Sequence, residues 1–412
     1  MKIMTLNSGS SSVKFSLYDW SNRRQLVSGM VERIGQTGSR LVYKAGGKQK
    51  VVDRKVFDHI EAIKQVLDLI VDKNSGFLDK ISDIAVVAHR IVHGGRRFVK
   101  SVLINSSVMA DIKRLISLAP LHNGHNLSSI KAMISALPDT PQVAVFDTAF
   151  HQSIPDYAYM YALPYEWYDK HRIRKYGFHG ISHLFVSKRA ASMLGKPASE
   201  CNLITMHIGN GASVSAIKNG LSVDTTMGLT PMEGVIMGTR CGDIDPGILF
   251  HISNLTGMNT EQIYDILNTK SGILGITGKY SDRREVMENI DSDKHCRLAF
   301  EMEAYRLKMV IGKYMAILGR VDAIVWTAGV GEHQPQIREK TLEGLEHFGV
   351  NLDIALNEQT TKGDEESCIS APTSKVKVFI IPTNEEQVLV EDAVGVLNGS
   401  YTDHMHYEYS FL

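Results

Sequence analysis

Met4-Thr5-Leu6-Asn7-Ser8-Gly9-Ser10-Ser11-Ser12-Val13-Lys14-Phe15-Ser16-Leu17-Tyr18 opens the chain with two short apolar runs joined by serine, asparagine and glycine. Runs of this length around turn-forming residues predict two strands, Lys2–Leu6 and Val13–Tyr18, in a hairpin-like connection. The plan returns further along, where Leu203–Ile208 and Ser213–Ile217 flank Gly209-Asn210-Gly211. Two hairpins of one kind, about half a chain apart, hint at a duplicated domain. Two unrelated hairpins would read the same way at so low an identity.

Outward from these hairpins, the first 55 residues read as β structure. His59–Val71 carries apolar residues at 60, 63, 66, 67 and 70, a helical period. Ile84–Ala88 and Val143–Phe146 are buried-type strands, with helical patterns near 107–118 and 126–137 between them. The spacing predicts further helices at 182–194, 260–268, 296–318, 335–347 and 385–397, and apolar strands at 322–327 and 377–381. The result is an α/β chain with strands first in each half.

A length of 412 residues suits two domains and can bury a core without disulfide or metal staples. Lys+Arg and Asp+Glu both count 45, so no global charge steers the chain toward nucleic acid or an anionic membrane. Cys201, Cys241, Cys296 and Cys368 form no C-x-x-C pair, which argues against a zinc site or disulfide framework and fits a reducing cytosol. The N-terminus turns polar too soon for a secretory signal, and no apolar run approaches the ~20 residues of a membrane helix. The chain is expected to be soluble and cytoplasmic.

Familiar nucleotide motifs are missing. A P-loop reads G-x-x-x-x-G-K-[ST], and the nearest candidate, Gly278-Lys279-Tyr280, lacks the first glycine and the hydroxyl residue. No Rossmann G-x-G-x-x-G and no G-x-S-x-G elbow occurs. Three other glycine-rich turns follow strands: Asn7–Ser12, Gly209–Gly211 and Gly329-Val330-Gly331. Glycine lets backbone N–H groups approach phosphate oxygens. Each alone is most simply an ordinary tight turn; three at strand ends suggest phosphate.

Arg90 follows the Ile84–Ala88 strand in His89-Arg90-Ile91-Val92-His93-Gly94-Gly95, and Arg240 lies in Gly238-Thr239-Arg240-Cys241-Gly242. Arginines in glycine-flanked loops can fork onto carboxylate or phosphate, although a surface ion pair is the plainer reading. His122 and His179 stand in Pro120-Leu121-His122-Asn123 and Gly177-Phe178-His179-Gly180. His179 and His183 are four apart, yet no H-E-x-x-H glutamate separates them, and structural hydrogen bonding remains open for either histidine. Asp147 ends a strand, where α/β enzymes place catalytic groups. Thr383 and Glu386 have capping-box spacing, which assigns Glu386 to the helix start and leaves Glu385 free to face a cation.

Together these segments closely resemble the acetate kinase family, within the acetate and sugar kinase, Hsp70 and actin superfamily. Matching blocks run nearly end to end: Asn7–Lys14, His89–Gly95, Leu118–Asn123, Phe146–His151, Tyr176–His183, His207–Ser213, Asp224–Pro246 and Pro382–Glu386. Met227-Gly228-Leu229-Thr230-Pro231-Met232-Glu233-Gly234 is peculiar enough to be specific alone.

The resemblance implies two ribonuclease-H-like (actin-like ATPase) α/β domains related by duplication and flanking an active-site cleft. Domain I would be residues 1–150 plus 384–412, and domain II, for nucleotide binding and dimerisation, 151–383. It implies a homodimer that acts on a small carboxylate and an adenine nucleotide, with neither nucleic acid nor membrane as partner. Mg²⁺, for which Mn²⁺ can substitute, would be held by Asn7 and Glu385. Arg90 and Arg240 would hold the acyl substrate and the phosphoryl in flight, and His179 would bond that phosphoryl. His122 would be a second active-site histidine, and Asp147 the aspartate arranging metal and substrate. Lys14, His207, Gly209, Asn210, Gly211, Asp282, Arg284, Gly329 and Gly331 would contact ATP or ADP. Arg90, Val92, Leu121, Phe178 and Pro231 would line the substrate pocket.

The implied reaction is transfer of the ATP γ-phosphoryl to acetate. A propionate or butyrate kinase of the same family, and a non-catalytic Hsp70-like nucleotide module, are the alternatives. His333 and Ala328 depart from the family's usual G-G-I-G-E-N, and the tail beyond Asn398 passes the family's usual end. That tail is expected to be disordered or packed on the surface.

Overall fold

In the computed structural model of the chain, β1 (Lys2–Ser8) and β2 (Ser12–Asp19) pair antiparallel, with Asn7 opposite Lys14 and Ser8 opposite Val13. The structure describes all residues except Asn74, Ser75, Pro120, Leu121 and Asp364. The described residues divide into two units, Met1–Phe150 with Asn384–Phe411, and His151–Thr383 with Leu412.

In the first unit the hairpin extends through β3 (Arg24–Glu32), β4 (Arg40–Ala45) and β5 (Lys48–Asp53), all antiparallel. On its other side β1 pairs parallel with β6 (Ile84–Ile91). The sheet is completed by β7 (Val102–Leu103) and β8 (Gln142–Phe146), in the order β5-β4-β3-β2-β1-β6-β8-β7. Alternation puts Val13, Phe15 and Leu17 of β2 on the covered face, against the helix His59–Val71. That helix buries Ile63, Val66, Leu67 and Ile70, the period read from sequence. It starts where Asp58 Oδ1 accepts from the Glu61 backbone N–H at 2.8 Å.

The second unit repeats the plan with β9 (Asn202–Ile208), β10 (Ala212–Lys218), β11 (Leu221–Thr225), β12 (Ala323–Thr327), β13 (Ser367–Cys368) and β14 (Lys377–Ile380). Its order is β11-β10-β9-β12-β14-β13. In each sheet an antiparallel meander of three strands meets two parallel strands on the far side of its first strand: β3-β2-β1-β6-β8 and β11-β10-β9-β12-β14. The repeated hairpin was thus one part of a repeated domain.

Three local readings change, and the tail follows the packed of its two expected alternatives. β6 runs through Ile91, so Arg90 lies inside a strand rather than after it. The Gly329–Gly331 turn is a short helix, Ala328–His333, that starts directly where β12 ends. The helix Glu385–Asn398 is capped by Asn384, whose side chain accepts from Gln387 N–H at 3.1 Å, not by Thr383 and Glu386. Glu386 instead accepts from Gln25 Nε2 at 2.7 Å. The tail beyond Asn398 packs down, burying Tyr401, His404, Tyr409 and Phe411, with the Tyr409 hydroxyl donating to buried Asp392 at 2.8 Å.

Candidate active site

Register alone assembles half of the first unit's constellation. Asn7 lies between Lys14 on β2 and Arg90 on β6, so three polar residues follow one another across neighbouring strands. Arg90 Nε and Nη2 donate to the two oxygens of Asp147 at 2.8 and 2.9 Å, and Nη1 donates to Glu385 Oε2 at 2.6 Å. Burial pulls the Arg90 pKa down, but Asp147 and Glu385 outweigh it and raise the value. For Asp147, burial and neighbouring Glu385 push the carboxyl up against the pull of Arg90. Glu385 Oε1 is buried without a hydrogen-bond partner among the described residues.

Two asparagines that the sequence reading passed over hold the adjacent loop. Asn123 accepts from His93 N–H and donates to His93 C=O, at 3.1 and 3.0 Å. Asn126 accepts from Val92 N–H at 3.3 Å and donates to Ser8 C=O at 2.9 Å. Their three-residue spacing on one helix face was the available signal. Val92 is half-buried, His122 stands at the N-cap of the helix Asn123–Ala136, and Leu121 lies outside the described residues.

In the second unit, Arg240 and His179 converge on Gly211. A Cβ at Gly211 would sit 3.1 Å from Arg240 Nη2 and 3.4 Å from His179 Cε1, so only glycine leaves this space open. Arg240 Nη1 donates to the Pro231 carbonyl at 2.6 Å, and Arg240 meets no carboxylate among the described residues. Burial pulls its pKa below the usual arginine value, with Tyr264 opposing. The loop that delivers Pro231 is folded tightly: Tyr161 donates its hydroxyl to Glu233, and both pack where a Cβ on Gly228 would stand.

His179 opens the helix Gly180–Met193 with φ +55°, a left-handed conformation costly for a non-glycine residue and typical of working sites. Its ring stacks on His207, with centroids 4.1 Å apart, and Phe178 is buried with its carbonyl accepting from His151.

A cavity of about 710 Å³ is lined by Gly209, Asn210, Ser281, Asp282, Arg283, Arg284, Gly329, Val330, His333 and Gln334. It brings together Gly209, Asn210, Asp282, Arg284 and Gly329, five of the candidate nucleotide residues, with Arg283 and His333 among the others. Asp282 also caps the helix Arg283–Glu288 and pairs with Arg284, which holds its carboxyl below the usual range. Gly331 is buried outside that lining, its carbonyl accepting from the fully buried Arg338 at 2.8 Å. Glu332 accepts from Ala328 N–H at 2.7 Å and Thr383 N–H at 3.2 Å, tying the end of β12 to the segment after β14. Neither Arg338 nor Glu332 stood out in the sequence, because most of their partners are backbone groups.

The sequence model of the acetokinase family matches residues 2–391. The acetate kinase of Geobacter sulfurreducens is 52% identical, covering 100% of this chain and 98% of that protein. The acetate kinase of Thermotoga maritima is 50% identical over 96% of this chain and 99% of its own. Among solved structures, Porphyromonas gingivalis acetate kinase superposes with a TM-score of 0.91 at 42% identity, covering 96% of this chain and 99% of that one. A propionate kinase from Francisella tularensis gives 0.89 at 39%, with the same coverage.

Proposed function

Because the chain belongs to the acetokinase family, we propose that it reversibly transfers the γ-phosphoryl group of ATP to the carboxylate of acetate by direct in-line displacement, giving acetyl phosphate and ADP. It is a phosphotransferase with a carboxyl group as acceptor. The observation that carries the finer reading is Arg240, a half-buried guanidinium without a carboxylate partner among the described residues, beside His179 at an open glycine. Such an uncompensated cation awaits an anion.

A carboxylate is already ionised at neutral pH, so no general base is required. Catalysis then consists of positioning and charge stabilisation. Arg240 and His179 bind the equatorial oxygens of the phosphoryl in transfer, where negative charge persists. Arg90 shares this duty and fixes the acyl carboxylate, its guanidinium held in plane by Asp147. His122 is a second histidine of the site. Lys14, His207, Gly209, Asn210, Gly211, Asp282, Arg284, Gly329 and Gly331 serve the nucleotide. The Gly331 role is carried by its place in the short helix rather than by the cavity wall.

The residues fit Mg²⁺. No cluster of three metal-ligating side chains occurs among the described residues, but Mg²⁺ commonly takes one or two protein oxygens plus water and phosphate. The orphaned Glu385 Oε1 and the Asn7 side chain would hold it. When bound, the ion neutralises charge on the nucleotide phosphates.

The resemblance to a propionate kinase makes acid selectivity the point to test. Purified protein with ATP and Mg²⁺ is expected to form hydroxamate-trappable product with acetate first, propionate more weakly and butyrate poorly. Val92, Leu121, Phe178 and Pro231 are the residues we propose to meet the substrate methyl group. Val92→Ala should raise propionate kcat/KM relative to acetate, within the ~10–200-fold that one methylene is worth, mostly through KM. A wild type that already prefers propionate would reassign the substrate; an unchanged ratio in the variant would remove Val92 from the pocket.

We place the enzyme in the cytoplasm as a homodimer. Its cysteines are unpaired, and no helix among the described residues is long and apolar enough to cross a membrane. The helix Gly247–Thr256 buries none of its residues and leaves Phe250 72% and Leu255 68% exposed, an apolar face suited to a second copy. Sedimentation at the mass of a single chain would refute the dimer.

A further inference from the structure

Behind His179 runs a line of buried groups with no assigned role. His179 Nδ1 lies 2.9 Å from Ser213 Oγ, the same oxygen lies 2.8 Å from His183 Nε2, and His183 Nδ1 lies 2.7 Å from Thr205 Oγ1. Ser213, His183 and Thr205 are all 0% exposed. We propose that Ser213, His183 and Thr205 are positioning residues that orient the His179 ring and fix its proton on Nε2. This rests on the reading that His179 bonds the phosphoryl group in transfer.

Proton counting carries the inference. Each hydroxyl has one proton and each neutral imidazole one N–H, and among the described residues the buried Ser213 hydroxyl has only the two rings as partners; with its proton donated to one of them, the line can point in only two directions. In the first, Thr205 donates to His183 Nδ1, His183 Nε2–H donates to Ser213, and Ser213 donates to His179 Nδ1. That leaves His179 with N–H at Nε2, the atom on the Gly211 side of the ring, where the added Cβ would be 3.5 Å away. In the other direction a neutral His179 turns a bare lone pair there, which repels an anionic oxygen. A phosphoryl group accepts only, and so selects the first direction.

His183 cannot absorb the difference by becoming a cation. Burial pulls its pKa well down, and the titratable groups facing it, His151 with centroid 5.6 Å away and His207 at 6.3 Å, depress it further. His151 is itself held by Ser222 and the Phe178 carbonyl. His179 faces His207 and, across Gly211, Arg240. With His183 neutral, the hydroxyl on either side of it sets the tautomer, much as an outer partner orients a working histidine elsewhere.

Four variants separate the possibilities. Ser213→Ala should lower kcat by roughly 10–100-fold, the usual loss when the partner orienting a working imidazole goes, with KM for both substrates nearly unchanged. Thr205→Val keeps the shape but removes the hydroxyl, and should lower kcat in the same sense. Thr205→Ser keeps the hydroxyl and should restore it. In ¹⁵N-histidine spectra with bound ATP, the His179 Nε2 proton present in wild type should be lost from Ser213→Ala. Near-normal turnover of His179→Ala would overturn the underlying reading. An inactive His179→Ala beside a fully active Ser213→Ala, or equal losses in Thr205→Ser and Thr205→Val, would overturn the relay alone. If Ser213→Ala fails to fold, the Thr205 pair decides.

Discussion

Arg240→Ala is expected to lose ~10²–10⁴ in kcat while melting close to the wild-type temperature, and Arg90→Ala to lose as much while melting earlier. In the proposed reaction both arginines bind charge that persists throughout phosphoryl transfer, so removing either would cost a preorganised transition-state donor. Their stability effects part company because their partners differ. Arg240 spends one hydrogen bond on the Pro231 carbonyl and meets no carboxylate among the described residues, so truncation strands no buried charge. Arg90 is 13% exposed and joins Asp147 and Glu385, 4% and 21% exposed. Its loss leaves two carboxylates facing each other, a defect of ~3–5 kcal/mol for a broken buried pair, less here because Glu385 is partly wet. Steady-state kinetics and thermal melts of the two variants check this. Near-normal turnover in either removes that arginine from the reaction.

The second large effect concerns the metal. Glu385→Ala should raise the Mg²⁺ concentration for half-maximal rate by at least ~10–100-fold, the loss seen when even a supporting partner of a ligand is removed. Mn²⁺ binding followed by electron paramagnetic resonance in the presence of ADP should weaken in parallel, which separates metal loss from other damage. Glu386→Ala is the matched control. Its carboxylate meets Gln25, not the orphan position, so the Mg²⁺ requirement should stay near wild type. Unlike a capping residue, it should also leave the helix start intact, whereas Asn384→Ala should cost ~1 kcal/mol. A metal requirement that moves in Glu386→Ala and not in Glu385→Ala would exchange the two roles.

Much of this was legible beforehand, for identifiable reasons. The helix His59–Val71 announced itself by period, and the two hairpins by glycine turns between β-branched runs, because local pattern alone decides those elements. Thr383-x-x-Glu386 misled because Asn384, one residue on, is an equally good cap with Gln387 at the required spacing. Gly329–Gly331 misled because glycines that normally break helices here begin one, its first N–H bound by Glu332. The candidate site residues that stand out in the sequence carry their own chemistry, such as Arg90, Asp147, Arg240 and His179. Asn123, Asn126, Ser213 and Glu332 each bond a group far off in the chain, and apart from the three-residue spacing of the two asparagines the sequence carries little to mark them.

The measurement that reaches furthest is the stereochemical course at phosphorus, using ATP made chiral at the γ-phosphoryl with oxygen isotopes. His179, Arg90 and Arg240 are read as groups that hold the phosphoryl, with acetate oxygen attacking it directly. One displacement inverts configuration, so acetyl phosphate of inverted configuration is the expected result. Retention would mean two displacements through a phosphorylated side chain, with His179 the first suspect, and would contradict direct transfer.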